Sequence, residues 1–219
     1  MTPPGQFYCL EGIDGAGKTT LRRILAKRLT ANRQKVIEVG QHSWLDTSMA
    51  EKIVDIREGR SAIPREEIVS IYGTDKLLHA RANISPNIGK HIVIADRYIF
   101  SDAAYQEALY GIPAERTLDW HLSHATILPA VVFFVDVSLK TSALRIENRD
   151  KPTKHYETQA SLGRVNSIYR RIFLEEPPTW LPKVVVIDNE VQSPEKVVES
   201  QMLPHILSQR ARHRDEAFR

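Results

Sequence analysis

Five short apolar runs punctuate the chain: Phe7–Leu10, Val36–Val39, Ile92–Ala95, Val131–Val137 and Val184–Ile187. Each is continuous or nearly so, rich in β-branched or aromatic residues, and bounded by polar or turn residues. That pattern predicts strands covered on both faces. The longer segments between them carry helical spacing. Leu21, Ile24, Leu25 and Leu29 form one stripe. Val69, Tyr72, Lys76 and His79 share a second face, and Leu162, Val165, Ile168, Tyr169 and Ile172 a third. Strands alternating with helices predict an α/β domain with a parallel sheet between two helical layers. No repeat, low-complexity tract or Gly/Ser linker divides the sequence, so residues 1–219 read as one domain.

Composition narrows the class. The chain has 219 residues, enough for a sizeable core. Thirty Lys+Arg against 27 Asp+Glu leave a net charge of only +3, which argues against a nucleic-acid coat or a polybasic membrane anchor. The one cysteine, Cys9, excludes an internal disulfide framework and a multi-cysteine zinc site. The longest apolar run, Pro129–Val135, is far short of a membrane span, and Met1–Gln6 has no signal-peptide character. A cytoplasmic location is the expectation. His121 and His124 lie three apart on a predicted helix, but no further ligand completes a metal set. The tail, residues 209–219, is basic and reads as a frayed, solvated helix end.

The sharpest signal is Gly12-Ile-Asp-Gly-Ala-Gly-Lys18-Thr19-Thr20, which fits G-x-x-x-x-G-K-[ST]. It follows a predicted strand and opens a predicted helix. Glycines let the backbone wrap a phosphate chain with its N–H groups inward, and the helix N-terminus adds partial positive charge. Gly12, Ile13, Asp14, Gly15, Ala16, Gly17, Lys18, Thr19 and Thr20 are thus the candidate ATP-binding set. Lys18 suits the β- and γ-phosphates, and the Thr19 hydroxyl suits Mg²⁺. A second constellation, Asp96-Arg97-Tyr98-Ile-Phe-Ser101-Asp102-Ala-Ala-Tyr105-Gln106, begins at the end of a strand. Ligands collect at that edge of a parallel sheet. Asp96 suits a water-mediated place around Mg²⁺, and Arg97 offers a planar fork for a phosphate.

Together, Leu10-Glu-Gly-Ile-Asp-Gly-Ala-Gly-Lys-Thr-Thr20 and Asp96-Arg-Tyr-x-x-Ser-x-x-Ala-Tyr-Gln106 resemble the thymidylate kinases. The resemblance runs from about Phe7 to Ile187. It includes Arg145, Arg149 and Glu157. It implies the fold of a P-loop nucleoside monophosphate kinase, with about five parallel strands and a lid near residues 149–157. It also implies a homodimer that moves the γ-phosphate of ATP to dTMP with Mg²⁺. By the same resemblance Asp14 accepts the acceptor sugar's 3′-hydroxyl and Arg97 grips the acceptor phosphate. Tyr72 covers the base, Tyr105 crowds the 2′ position, and Ser101 and Gln106 complete the acceptor side. Gly15 stands where some members carry an arginine; members with glycine supply the cation from the lid. Here Arg149, Lys151 and Lys154 are available, and Arg149 has the guanidinium best matched to a transferring phosphoryl.

The departures cluster on the acceptor side. Glu38-Val-Gly-Gln-His-Ser-Trp44 replaces the Glu-Pro-Gly common in the family. Val54 stands in place of a phosphate-contacting arginine, with Arg57 nearby as a substitute. Lys76 replaces the base-reading arginine, and His155 a lid arginine. Lys76 can donate to a pyrimidine O4, and Asp102 can accept from thymine N3–H or from a cytosine amino group. dUMP, dCMP, a modified pyrimidine nucleotide or a nucleoside therefore remain open as acceptors beside dTMP. A non-catalytic nucleotide-binding protein is the rival outside the kinases.

Overall fold

The computed structural model describes residues 6–60 and 62–208. The basic tail and residues 1–5 lie outside the described residues. Five strands appear where the apolar runs predict them: β1 Phe7–Glu11, β2 Val36–Val39, β3 Ile92–Asp96, β4 Val131–Asp136 and β5 Lys183–Asp188. They form one wholly parallel sheet in the order β2-β3-β1-β4-β5. The three inner strands are buried along nearly their whole length, which is why they read as unbroken apolar runs. The outer strand β5 is only partly covered: Ile187 is buried, whereas Val186 is exposed.

Helices cover both faces: α1 Lys18–Ala31, α2 Thr47–Arg57, α3 Arg65–His79, α4 Ser85–Ile88, α5 Ile99–Tyr110, α6 Ala114–Ser123, α7 Leu139–Glu147, α8 Gln159–Arg170 and α9 Pro194–Val197. Side-chain oxygens start three of the longer ones. Asp46 accepts from Met49 N–H, Ser138 from Thr141 N–H and Thr158 from Ser161 N–H. Wide π-type turns extend α3 through Ala80–Ile84 and α8 through Arg171–Glu175. Between sheet and helices, Tyr8, Leu10, Phe100, Phe133, Phe134 and Tyr169 are fully buried. Each such side chain contributes about 1.5–3 kcal/mol of burial.

Strand pairing sets the site. Leu10 pairs with Asp96, and Glu11 with Phe134, so the ends of β1, β3 and β4 lie side by side. The loops after β1 and β3 consequently open at the same carboxyl edge. Among the described residues, no helix is long and apolar enough to cross a membrane.

Candidate active site

The loop after β1 turns at Gly12, Gly15 and Gly17, all with positive φ, and delivers Lys18 as the first residue of α1. At Gly15 the φ of +76° disfavours any side chain, and an added Cβ would overlap the Ser142 carbonyl of α7. The first turn of α1 carries no acidic residue, so its amides remain a positive end for a phosphate. Lys18 folds back to donate from Nζ to the Ile13 carbonyl at 2.6 Å. Burial, helped by the like charge of Arg97, pushes its ammonium down to about 7.

Three residues brace the loop from behind. Ser142 Oγ donates to the Asp14 carbonyl at 2.7 Å. Asn189 Nδ2 and Arg145 Nη1 donate to the Ala16 carbonyl at 2.7 and 3.3 Å, and Arg145 Nη2 also holds the Asn189 carbonyl at 2.7 Å. Beside the loop, Thr19 Oγ1 donates to Asp96 Oδ2 at 2.5 Å, so the two predicted metal-site residues are in direct contact. A hydroxyl and a carboxylate next to a phosphate loop are the hard oxygen donors that Mg²⁺ takes beside substrate phosphates. Thr20 is exposed on α1.

Arg97 is the hub. It follows β3 with a φ of +73°, a conformation that a non-glycine residue holds only when its surroundings impose it. Its backbone N–H donates to Leu10 O at 3.0 Å. Its side chain is largely buried. Nη1 donates to Gly12 O at 2.9 Å and to Ser101 Oγ at 3.2 Å. Nη2 donates to Asp14 Oδ1 at 2.8 Å and to Tyr105 OH at 3.1 Å. Tyr105 OH in turn donates to Asp14 Oδ2 at 2.8 Å. Burial alone would raise the Asp14 carboxyl, but Arg97, Lys18 and Lys154 outweigh it and hold it well below the ordinary carboxylate range.

Under this cluster lies Glu11, wholly buried at the end of β1. It accepts from Tyr98 N–H at 2.8 Å, from Tyr169 OH at 3.0 Å and from Ser101 Oγ. Burial raises its carboxyl despite these donors. Glu11 anchors the residues that carry Arg97, a part that its place in a motif does not disclose.

Arg97, Asp14 and Tyr105 form one wall of an open cavity of about 480 Å³. Ser101, Asp102 and Gln106 line it from α5, Tyr72 from α3, Arg57 from α2, and Gln41 and His42 from the loop after β2. Of the expected acceptor residues, only Lys76 is absent from the lining. It is fully buried behind the cavity, 3.1 Å from Asp102 Oδ2, and donates to Gln41 O at 2.6 Å. Gln106 Oε1 accepts from Thr117 Oγ1 at 2.7 Å. His42 Nδ1 lies 3.1 Å from Asp75 Oδ2, and its ring packs between Trp44 and Tyr72. Burial, helped by Lys76, pushes His42 down to about 4. Trp44 itself is half exposed and left-handed at φ +54°. The sequence does not single out His42, Gln41 or Asp75 as site residues; the missing Glu-Pro-Gly is the only signal there.

The predicted lid follows α7. Lys154 lines the cavity, with its ammonium 5.3 Å from the centre of the Tyr156 ring. Tyr156 spans to the far wall, where its hydroxyl accepts from Arg57 Nη2 at 3.5 Å. Arg149 is not at the cavity: its guanidinium is ion-paired with Glu157 and donates to Pro152 O at 3.2 Å. Lys151 is exposed.

This geometry sets the glycine-rich loop after β1 beside an open cavity, with one buried arginine touching both. A family model described as Thymidylate kinase matches residues 10–201. The chain is 28% identical over 195 residues to a thymidylate kinase of Leptospira borgpetersenii serovar Hardjo-bovis (strain L550), covering 88% of this chain and 89% of that protein. It is 33% identical over 178 residues to a thymidylate kinase of Xanthomonas euvesicatoria pv. vesicatoria (strain 85-10), covering 80% and 75%. A phosphate loop, an Asp-Arg pair at the next strand end and a match along most of the chain have one common explanation: the chain belongs to the thymidylate kinase family.

Proposed function

We infer that the chain catalyses ATP-dependent phosphorylation of dTMP to dTDP, the reaction of its family. The observation that carries this assignment is the Asp14–Arg97–Tyr105 cluster, which stands between the phosphate loop and the cavity. Phosphoryl transfer needs positioning and charge neutralisation more than a dedicated base. Loop amides and Lys18 hold the donor phosphates. Arg97 holds the acceptor phosphate, and Asp14 takes the sugar 3′-hydroxyl. Tyr105 closes the 2′ side, and Tyr72 covers the base. Ser101 and Gln106 shape the same wall.

Mg²⁺ fits at Thr19 and Asp96, where it would neutralise charge on the donor phosphates. Gly15 leaves the loop with no cation beyond Lys18, so the lid supplies the second one. Arg149 fills that role by exchanging Glu157 for the transferring phosphoryl, while Lys154 already faces the acceptor side. The family resemblance also supports a single catalytic domain, a homodimer and a cytoplasmic location. The test is ADP release from ATP–Mg²⁺ with dTMP. Turnover that depends on dTMP supports the assignment; ATP binding without turnover on any pyrimidine acceptor defeats it.

A further inference from the structure

The two terminal nitrogens of Arg97 have different neighbours. Nη2 meets groups that line the cavity, the Asp14 carboxylate at 2.8 Å and Tyr105 OH at 3.1 Å. Nη1 donates instead to Gly12 O at 2.9 Å, Ser101 Oγ at 3.2 Å and Tyr169 OH at 3.4 Å. The same two hydroxyls, 2.7 Å apart, also donate to Glu11 Oε2, Tyr169 at 3.0 Å. Glu11 and Tyr169 are fully buried, and neither lines the cavity. The Tyr169 ring packs against Phe134 and Phe173, its centre 5.7 Å from each, so the core fixes where its hydroxyl stands.

We propose that Tyr169 is a positioning residue for the acceptor phosphate: its hydroxyl, with that of Ser101, ties Nη1 of Arg97 to the buried Glu11 carboxylate and leaves Nη2 facing the cavity. The proposal rests on the role given to Arg97 above and deepens it. A hydroxyl both donates and accepts, so one placed between a carboxylate and a guanidinium serves both. In direct contact the two ions tend to form a two-bond fork that occupies two donors of the arginine. The hydroxyl bridge engages Nη1 alone. Arg97 thus has two holds. Asp14 grips Nη2, and that grip weakens when the same carboxylate takes the sugar 3′-hydroxyl. The hold through Tyr169 and Ser101 to Glu11 lies outside that exchange and persists, so the guanidinium keeps its place and the backbone its φ of +73°. Burial, helped by the Glu11 charge, keeps the Tyr169 phenol well above its ordinary value, so the hydroxyl retains its proton. Without that hydroxyl, a buried guanidinium and a buried carboxylate are each one partner short.

The test is calorimetric binding of dTMP, and of thymidine, which lacks the phosphate, to the full chain and to Tyr169→Phe, Arg97→Met and the Tyr169→Phe/Arg97→Met double variant. The parent is expected to bind dTMP at least about tenfold more tightly than thymidine, and Arg97→Met to lose most of that preference. Tyr169→Phe keeps the ring packing and is expected to weaken dTMP about fivefold, one hydrogen bond's worth, while thymidine changes by less than about twofold. In the Arg97→Met background the same change is expected to alter the Kd for dTMP by less than about twofold. Should Tyr169→Phe fail to fold, Glu11→Gln reads the same hold, since it removes the charge and keeps the shape: dTMP is expected to weaken and thymidine is not. Equal weakening of both ligands marks a general disturbance of the cavity and overturns the proposal. So does a loss that persists without Arg97, or a Tyr169→Phe chain that binds dTMP as tightly as the parent. A parent with no preference for dTMP, or an Arg97→Met chain that keeps it, removes the acceptor role of Arg97 itself and the proposal with it, so the two failures are told apart.

Discussion

Asp14→Asn is the substitution whose outcome the site geometry determines most fully. The carboxylate accepts twice, from Arg97 Nη2 and from Tyr105 OH, each at 2.8 Å. Asn offers one acceptor oxygen, so one of these donors must face an NH₂ group. At 2.8 Å and an effective dielectric of about 20, the gross attraction of the ion pair is about 6 kcal/mol. Desolvation offsets most of that, leaving a net loss of roughly 1.5–3 kcal/mol. If the same carboxylate holds the sugar 3′-hydroxyl, kcat/KM for dTMP falls on the order of a hundredfold. KM for ATP should change far less, by about twofold, at a pH below about 6, because the loop amides stay in place and Lys18 is still protonated and bonded to the Ile13 carbonyl. The sign of the pH dependence follows from the depressed carboxyl. Its contribution to stability is fully present above the ordinary Asp value of about 4 and is lost only as pH falls through the lower folded value. The gap in melting temperature and in kcat/KM between parent and variant should therefore be constant from about pH 5 to about 6, below the range in which Lys18, pushed down to about 7, loses its proton. Coupled ADP release and thermal melting across that range measure both. A gap that closes by about pH 5.5, or a loss that appears in the ATP KM instead, would refute the assignment of Asp14 to the acceptor.

Other consequences are as direct. Gly15→Ala adds a methyl at φ +76° against the Ser142 carbonyl and should weaken ATP at least about tenfold in a binding titration, with a much smaller effect on dTMP. Arg149→Ala should lower kcat about a hundredfold with little change in KM, whereas Lys151→Ala should stay within about twofold; a larger kcat loss from Lys154→Ala than from Arg149→Ala would transfer the lid role to Lys154. His42 is held neutral down to about pH 4, below its ordinary value near 6.5, so the unfolded chain binds more protons between those limits. Stability should consequently rise with pH across that window, by up to about 3 kcal/mol from this residue, and His42→Gln should flatten the melting curve there.

The sheet was legible because inner strands of a parallel sheet are buried on both faces and need no polar alternation. β1, β3 and β4 were read to within a residue of their observed ends. The phosphate loop was legible because its glycines have no substitute at those backbone angles. Two kinds of information were hidden. Pairings between distant elements leave no trace in spacing: Lys76 and Asp102 are each visible, but only the packing of α3 against α5 makes them an ion pair. Support from behind is equally silent. Glu11 under Arg97, and Asn189 on the Ala16 carbonyl, carry no periodicity and belong to ends of strands where polar residues are common. Residues 149–157 border the cavity through Lys154 and Tyr156, yet which of their cations faces it depends on Glu157, whose hold on Arg149 is a matter of loop geometry.

The most direct measurement is ADP release from ATP–Mg²⁺ with dTMP, dUMP, dCMP, the ribose form of TMP or thymidine as acceptor, on the parent chain and on Arg97→Ala. Turnover should be strongest with dTMP, weaker with the ribose form, and abolished with every acceptor in Arg97→Ala while ATP still binds. A parent that prefers another acceptor contradicts the substrate assignment. An Arg97→Ala chain that retains turnover contradicts the role of the buried arginine that joins the two halves of the site.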